Sequence, residues 1–109
     1  MASAPTFLIV YCTAPSLQQA RRLARVLLKK KLAACVNLSP RLESHYWWNG
    51  KIEKSQEVLL VIKTRASLFP RLEKTLAGEH PYEVPEILAV PVSQGSKKYL
   101  RWLKRSTAL

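Results

Sequence analysis

Apolar positions along the chain alternate between strand-like runs and helical stripes. Phe7–Thr13 (Phe-Leu-Ile-Val-Tyr-Cys-Thr) is β-branched and aromatic without a breaker, and predicts a strand. Ala14-Pro15-Ser16 turns the chain, with Pro15 suited to a first helical turn. Leu17, Ala20, Leu23, Ala24, Leu27 and Leu28 then recur at helical spacing and predict an amphipathic helix lying on a sheet. Leu32–Leu38 is the next predicted strand, interrupted at Ser39-Pro40. Ser44–Trp48 and Lys51–Ser55 flank Asn49-Gly50, the strongest short-range hairpin signal. A two-residue turn there pairs Trp48 with Lys51, Trp47 with Ile52, Tyr46 with Glu53 and His45 with Lys54.

Glu57–Thr64 continues the hairpin strand, and its centre, Val58–Ile62, is apolar without alternation. A strand of that kind is covered on both faces. Ala66–Leu76 predicts a second helix, with Leu68, Phe69, Leu72 and Leu76 as its stripe, Ser67 as cap and Gly78 just past its end. Glu86–Val92 is a fourth strand, which Pro91 assigns to an edge or a bulge. Ser96–Arg105 is a short terminal helix carrying Tyr99, Leu100, Trp102 and Leu103. The order β-α-β-β-α-β, then α, predicts an α+β, ferredoxin-like sandwich: a four-stranded antiparallel sheet with two helices on one face and an extra C-terminal helix.

Helices cover one face of such a sheet, so the other needs a second copy of the chain. The hairpin tip points the same way. A two-stranded ribbon carrying Tyr46, Trp47, Trp48 and Ile52 is marginal alone in water and exposes more apolar surface than a monomer keeps.

Length and composition narrow the class. The 109 residues make one domain, 1–109, with 1–5 and 106–109 expected as flexible ends. No apolar run approaches the ~20 residues of a membrane span, and Met1–Pro5 has no signal-peptide pattern, so a cytoplasmic location is expected. In that compartment Cys12 and Cys35 are free thiols, with Cys35 in the core.

Charge adds a further feature. The net charge is +11, from 18 Lys and Arg against 7 acids, all of them Glu. Arg21, Arg22, Arg25 and Lys29–Lys31 form one acid-free basic segment, and Lys97, Lys98, Arg101, Lys104 and Arg105 another. Such faces attract nucleic acid, anionic lipid or acidic partners, although a solvated helix surface is the simpler reading and nucleic acid is disfavoured. An RNA-binding sandwich of this plan stacks bases on central-strand aromatics, and Glu57–Thr64 has none.

No nucleophile elbow, phosphate loop or His-Glu-x-x-His is present, and no aspartate occurs, so an enzyme is not expected. The remaining chemistry sits near strand ends. His80-Pro81-Tyr82-Glu83-Val84-Pro85-Glu86 places polar side chains on a tether stiffened by two prolines, read in its simplest form as a rigid connection with a surface histidine. Glu57 and Lys63, six apart, face the same side of one strand, where an ion-paired rim is the usual outcome. Cys12 and His80 are a soft thiol and an imidazole, suited to copper or zinc but too few for a tight structural site.

These residues, taken in order, resemble the CutA family of divalent-cation tolerance proteins. The matching pieces are Tyr11-Cys12-Thr13-Ala14-Pro15, Leu32–Asn37, Tyr46–Gly50 with Trp48, Glu57 with Ile62-Lys63-Thr64, His80–Ile87, Gly95, and Tyr99-Leu100 with Trp102. The resemblance implies a ferredoxin-like fold and a homotrimer in which long hairpins, through Tyr46, Trp47, Trp48 and Ile52, extend each sheet into its neighbour's. It implies weak binding of Cu²⁺ or another divalent metal at Cys12 and His80, with Glu79 at a further ligand position, and no metal required for folding. Together with the strand-end cluster it implies a cleft between subunits for a metal ion or small anionic effector, lined by Glu57, Lys63, Tyr82, Glu83, Glu86 and Trp102. Two other readings stay open: a nucleic-acid-binding module using the basic helices, and a stable trimeric scaffold.

Overall fold

The computed structural model describes residues 5–108. Its elements are β1 (Phe7–Ala14), α1 (Leu17–Lys29), β2 (Cys35–Trp48), β3 (Lys51–Arg65), a 3-10 turn (Ala66–Leu68), α2 (Phe69–Glu79), β4 (Ile87–Pro91) and α3 (Lys97–Ser106). The strands form one sheet in the order β2-β3-β1-β4, every neighbour antiparallel. This is the ferredoxin-like α+β plan that the order of elements predicts.

The pleat decides what is core. Leu8, Val10, Cys12 and Ala14 of β1 stand opposite Thr64, Ile62, Leu60 and Val58 of β3, and all eight are buried. Leu23 and Leu27 of α1 and Leu72 and Leu76 of α2 close over this inner face. Each fully buried leucine contributes about 2 kcal/mol relative to exposure. The α1 stripe is narrower than its sequence reads: Ala20, Leu23 and Leu27 are buried, whereas Leu28 is 42% exposed.

The outer face has the opposite parity. Ile9, Tyr11, Leu59 and Val61 lie there half-buried, with Leu88 and Val90 of β4 beside them at 61% and 43% exposure. Val58–Ile62 is therefore covered on one face only within a single chain.

The hairpin has the expected register, with Trp48 opposite Lys51, Trp47 opposite Ile52, Tyr46 opposite Glu53 and His45 opposite Lys54. Asn49 and Gly50 both take positive φ, 50° and 75°, as a type I′ turn requires. Pro40 does not end the second strand. The chain absorbs it in a register shift between Ser39 and Leu42, with Arg41 at φ 65°, and β2 runs on for 14 residues. Both β2 and β4 are edge strands, so Pro91 costs no ladder bond on its open side.

Several local expectations give way. Ser16, not Pro15, begins α1: its hydroxyl accepts from Gln19 N–H, so the proline lies outside the helix. Ser67 caps nothing, because the 3-10 turn precedes α2, and Gly78 stays inside α2, which ends at an extended His80. Cys35 opens β2 on the outer face, half-buried instead of in the core. The end expected to be loose is anchored: Ser106 closes α3, and Thr107 is fully buried, held by Arg65 through its hydroxyl at 2.9 Å and its carbonyl at 3.0 Å. Residues 1–4 and Leu109 lie outside the described residues.

Candidate functional site

The polar residues at the Ala14 end of the sheet form one connected group. The β1–β4 ladder stops at the pair Cys12–Ile87, so Thr13 has no β4 partner. His80 takes that place. Its Nε2–H donates to the Thr13 carbonyl at 2.7 Å, and its Nδ1 accepts from the Tyr82 backbone N–H at 3.0 Å. These two bonds fix one neutral tautomer and use both ring nitrogens. Pro81 provides the extended step that brings Tyr82 back onto the ring, 4.8 Å between centroids.

Tyr82 in turn reaches the outer face, where its hydroxyl donates to Glu57 Oε2 at 2.7 Å. Glu57 is only 8% exposed, and no cation pairs with it among the described residues. Burial, then the bond to Glu57, raises the Tyr82 hydroxyl pKa well above its ordinary value.

Cys12 stands on the other side of the sheet. It is fully buried in the helix-covered core, and its thiol leans on the Thr13 carbonyl at 3.7 Å. Burial, reinforced by the negative charges of Glu86 and Glu57, pushes it up to about 12. A metal ligand must be a thiolate. Glu79 is committed elsewhere: Arg22 pairs with its carboxylate at 3.0 Å and also donates to its carbonyl, which ties the end of α2 to α1. Cys12, His80 and Glu79 are thus neighbours in the chain's architecture without forming a ligand set. Among the described residues no group of three His, Cys, Asp or Glu side chains could hold a metal ion. The chain as folded does not fit copper at these positions, and His80 is buried instead of lying at the surface.

The expected cleft also divides. Glu57 and Lys63 do face one side of β3, yet six residues of extended chain separate them by about 20 Å. Neither forms an ion pair among the described residues. Glu57, Tyr82, Glu83 and Glu86 gather at one end of the sheet. Lys63 lies near the other, opposite Cys35. There α3 lies against β3, with Tyr99 raised in pKa by its own burial and by Cys35. Trp102, 39% exposed, sits 5.4 Å from the Tyr99 ring. Sequence reasoning missed Thr13, whose importance lies in a backbone carbonyl, and Cys35 beside Tyr99. Tyr46, Trp47, Trp48 and Ile52 at the hairpin tip are all exposed, Trp47 by 72% and Ile52 by 68%.

Fold and site define a small ferredoxin-like protein with charged clusters at opposite ends of its sheet. A sequence profile of the CutA1 divalent ion tolerance protein matches residues 8–106, and the chain belongs to this family. The rice (Oryza sativa subsp. japonica) protein "Protein CutA 1, chloroplastic" is 48% identical over 100 residues, which cover 92% of this chain and 56% of that one. The "Divalent-cation tolerance protein CutA" of Thermus thermophilus is 44% identical over 99 residues, covering 91% of this chain and 96% of that one. The chain therefore spans about half the length of some curated relatives and nearly all of others. The structure of the "Periplasmic divalent cation tolerance protein CutA" from Archaeoglobus fulgidus superposes with TM-score 0.91 at 41% identity, covering 94% of this chain and 99% of that one. No helix among the described residues is long and apolar enough to cross a membrane.

Proposed function

We propose that this chain is a non-catalytic divalent-cation tolerance protein that works as a homotrimer, with its effector cleft assembled between copies. One observation carries the reading: the outer face of the sheet is apolar and uncovered, from Leu88 and Val90 across Leu59 and Val61 to the exposed Tyr46 and Trp48. Monomers rarely keep so much contiguous apolar surface, and the 14-residue β2 edge offers unpaired backbone beside it. Packing outer face on outer face and edge on edge buries both features together.

Assembly also brings the half-sites within reach of each other. Glu57, Tyr82, Glu83 and Glu86 of one copy supply buried and exposed carboxylates, and Lys63 and Trp102 of the next supply a cation and an aromatic wall. Such a cleft suits a divalent cation or a small charged effector. No copper is assigned to Cys12, His80 and Glu79. A role without catalysis is supported by the state of two residues: burial raises the Cys12 thiol pKa and both His80 ring nitrogens are committed, so these two do not make a nucleophile–base pair. Unbridged Cys12 and Cys35 fit a reducing, cytoplasmic compartment.

Sedimentation equilibrium at low micromolar protein tests the assembly. The expected mass is three chains, and Leu88→Arg shifts it toward one. A folded wild-type protein with the mass of one chain would overturn the reading.

A further inference from the structure

The fold sorts the chain's charges toward opposite ends of the sheet. Glu57, Glu79, Glu83 and Glu86 collect at the Ala14 end. At the other end four hydrogen bonds draw separate basic segments together. Thr64 Oγ1 donates to Leu32 carbonyl at 2.6 Å and Ala34 N–H to Lys63 carbonyl at 2.9 Å, which sets the Lys29–Lys31 corner on the end of β3. Arg65 holds Thr107, which sets the last turn of α3, with Lys104 and Arg105, beside it. Arg71, in the first turn of α2, follows from the same strand end. Lys29, Lys30, Lys31, Arg71, Lys104 and Arg105 are all exposed there; no acid lies in the Lys29–Lys31 or α3 segments, and Glu73 is the one acid close to Arg71 in sequence.

Helix dipoles account for only part of this. Lys29, Lys104 and Arg105 lie in last turns, where a cation is favourable. Arg71 lies in a first turn, where it is not, and among the described residues none of α1, α2 and α3 has an acid in its first turn. Arg21, Arg25 and Lys29 add a like-charge ridge at i, i+4 spacing along α1, each step weakening the helix by some tenths of a kcal/mol. A run of cations kept against local stability calls for an anionic partner with many charges.

We propose that this end of the molecule binds the phosphate backbone of nucleic acid without reading its sequence. An anionic membrane is the rival polyanion, and the packing argues against it. A helix that lies in a bilayer interface needs a free apolar face. Ala20, Leu23 and Leu27 of α1 and Leu103 of α3 are instead buried in the protein. Of the large apolar residues on these helices only Leu28, Tyr99 and Trp102 are exposed, too few for a continuous apolar face, and the charge spread over three helices is the form that neutralises a rod of phosphates.

Fluorescence anisotropy with a labelled 20-nucleotide RNA and a 20-base-pair DNA duplex tests the proposal, with phosphatidylserine vesicles as the rival arm. The full chain is expected to bind at low salt, with a log–log salt slope of about −4 or steeper for some five phosphates. Lys29→Glu with Lys30→Glu should weaken binding about tenfold and flatten the slope by about 2. Lys51→Glu with Lys54→Glu, an equal change of net charge at the hairpin, should leave it within about twofold. Sedimentation first verifies that both variants keep the wild-type mass. Absence of nucleic-acid binding at low salt, binding to vesicles alone, or an equal loss in both double variants would each overturn the assignment.

Discussion

Replacing His80 separates a structural histidine from a ligand histidine. In the fold, His80→Ala removes the closer of the two side-chain donors to the Thr13 carbonyl, leaving only the long thiol contact from Cys12, and the acceptor for Tyr82 N–H. Leaving a buried polar partner unsatisfied costs about 1–3 kcal/mol each. The ring contact with Tyr82 adds roughly 0.5–1.5 kcal/mol. The expected loss is about 4 kcal/mol, and it extends beyond residue 80, because Tyr82 then loses the anchor that holds its hydroxyl on Glu57. His80→Gln places an amide N–H where Nε2–H was and should recover about 1–2 kcal/mol through the Thr13 bond alone.

Guanidinium unfolding followed by circular dichroism at fixed protein concentration measures these differences, with and without excess Cu²⁺. A ligand bound only by the native state raises the midpoint, more so with more ligand. If His80 were a ligand, copper would stabilise wild type and not His80→Gln, and His80→Ala without copper would lie near wild type. Either result refutes the reasoning: a His80→Ala loss below about 0.5 kcal/mol, or copper stabilisation that vanishes in His80→Gln.

Two further outcomes rest on single positions. Gly50→Ala should cost about 1–2 kcal/mol on unfolding purely through its positive φ, because a Cβ there meets nothing within 4 Å. A neutral result would mean that the turn is not the type described. Cys12 should stay unlabelled by iodoacetamide at pH 8 until the protein unfolds, as peptide mass mapping would show. Because its folded pKa lies above that of a free thiol, its contribution is complete below about pH 9 and is lost as pH climbs towards 12. Across that interval wild type should lose more stability than Cys12→Ala, by up to about 4 kcal/mol at 1.36 kcal/mol per pH unit. Parallel stability curves would count against the buried thiol.

The succession of elements and the hairpin register were legible because they rest on short-range signals. Asn49-Gly50 sets four cross-strand pairs by itself, and strand period sets which of Leu8–Ala14 turn inward. The continuity of β2 through Pro40 was not legible. Whether a proline breaks an edge strand or is absorbed by a bulge depends on the partner strand, which lies about 20 residues away in sequence. Of the residues that meet at the Ala14 end, Glu57, His80, Tyr82, Glu83 and Glu86 stood out in the sequence, but their wiring did not. Cys12 and Thr13 are adjacent in sequence and face opposite sides of the sheet, so a thiol and a histidine that read as co-ligands meet instead at the backbone carbonyl between them.

Glu57 and Lys63 show that same-face spacing along a strand is not proximity. The pleat puts both on the outer face, and the length of β3 keeps them about 20 Å apart. A carboxylate so far removed from water, with only a phenol for company, is an expensive state for one chain to keep. The apolar area between the two residues is the surface with no cover. Both deficits lie on the same face, and a single event, closure of that face by another copy, removes both. In the proposed trimer, assembly and site are then one property, and a variant that keeps Glu57 and Tyr82 intact but opens the outer face at Leu88 should lose the proposed effector binding together with its mass.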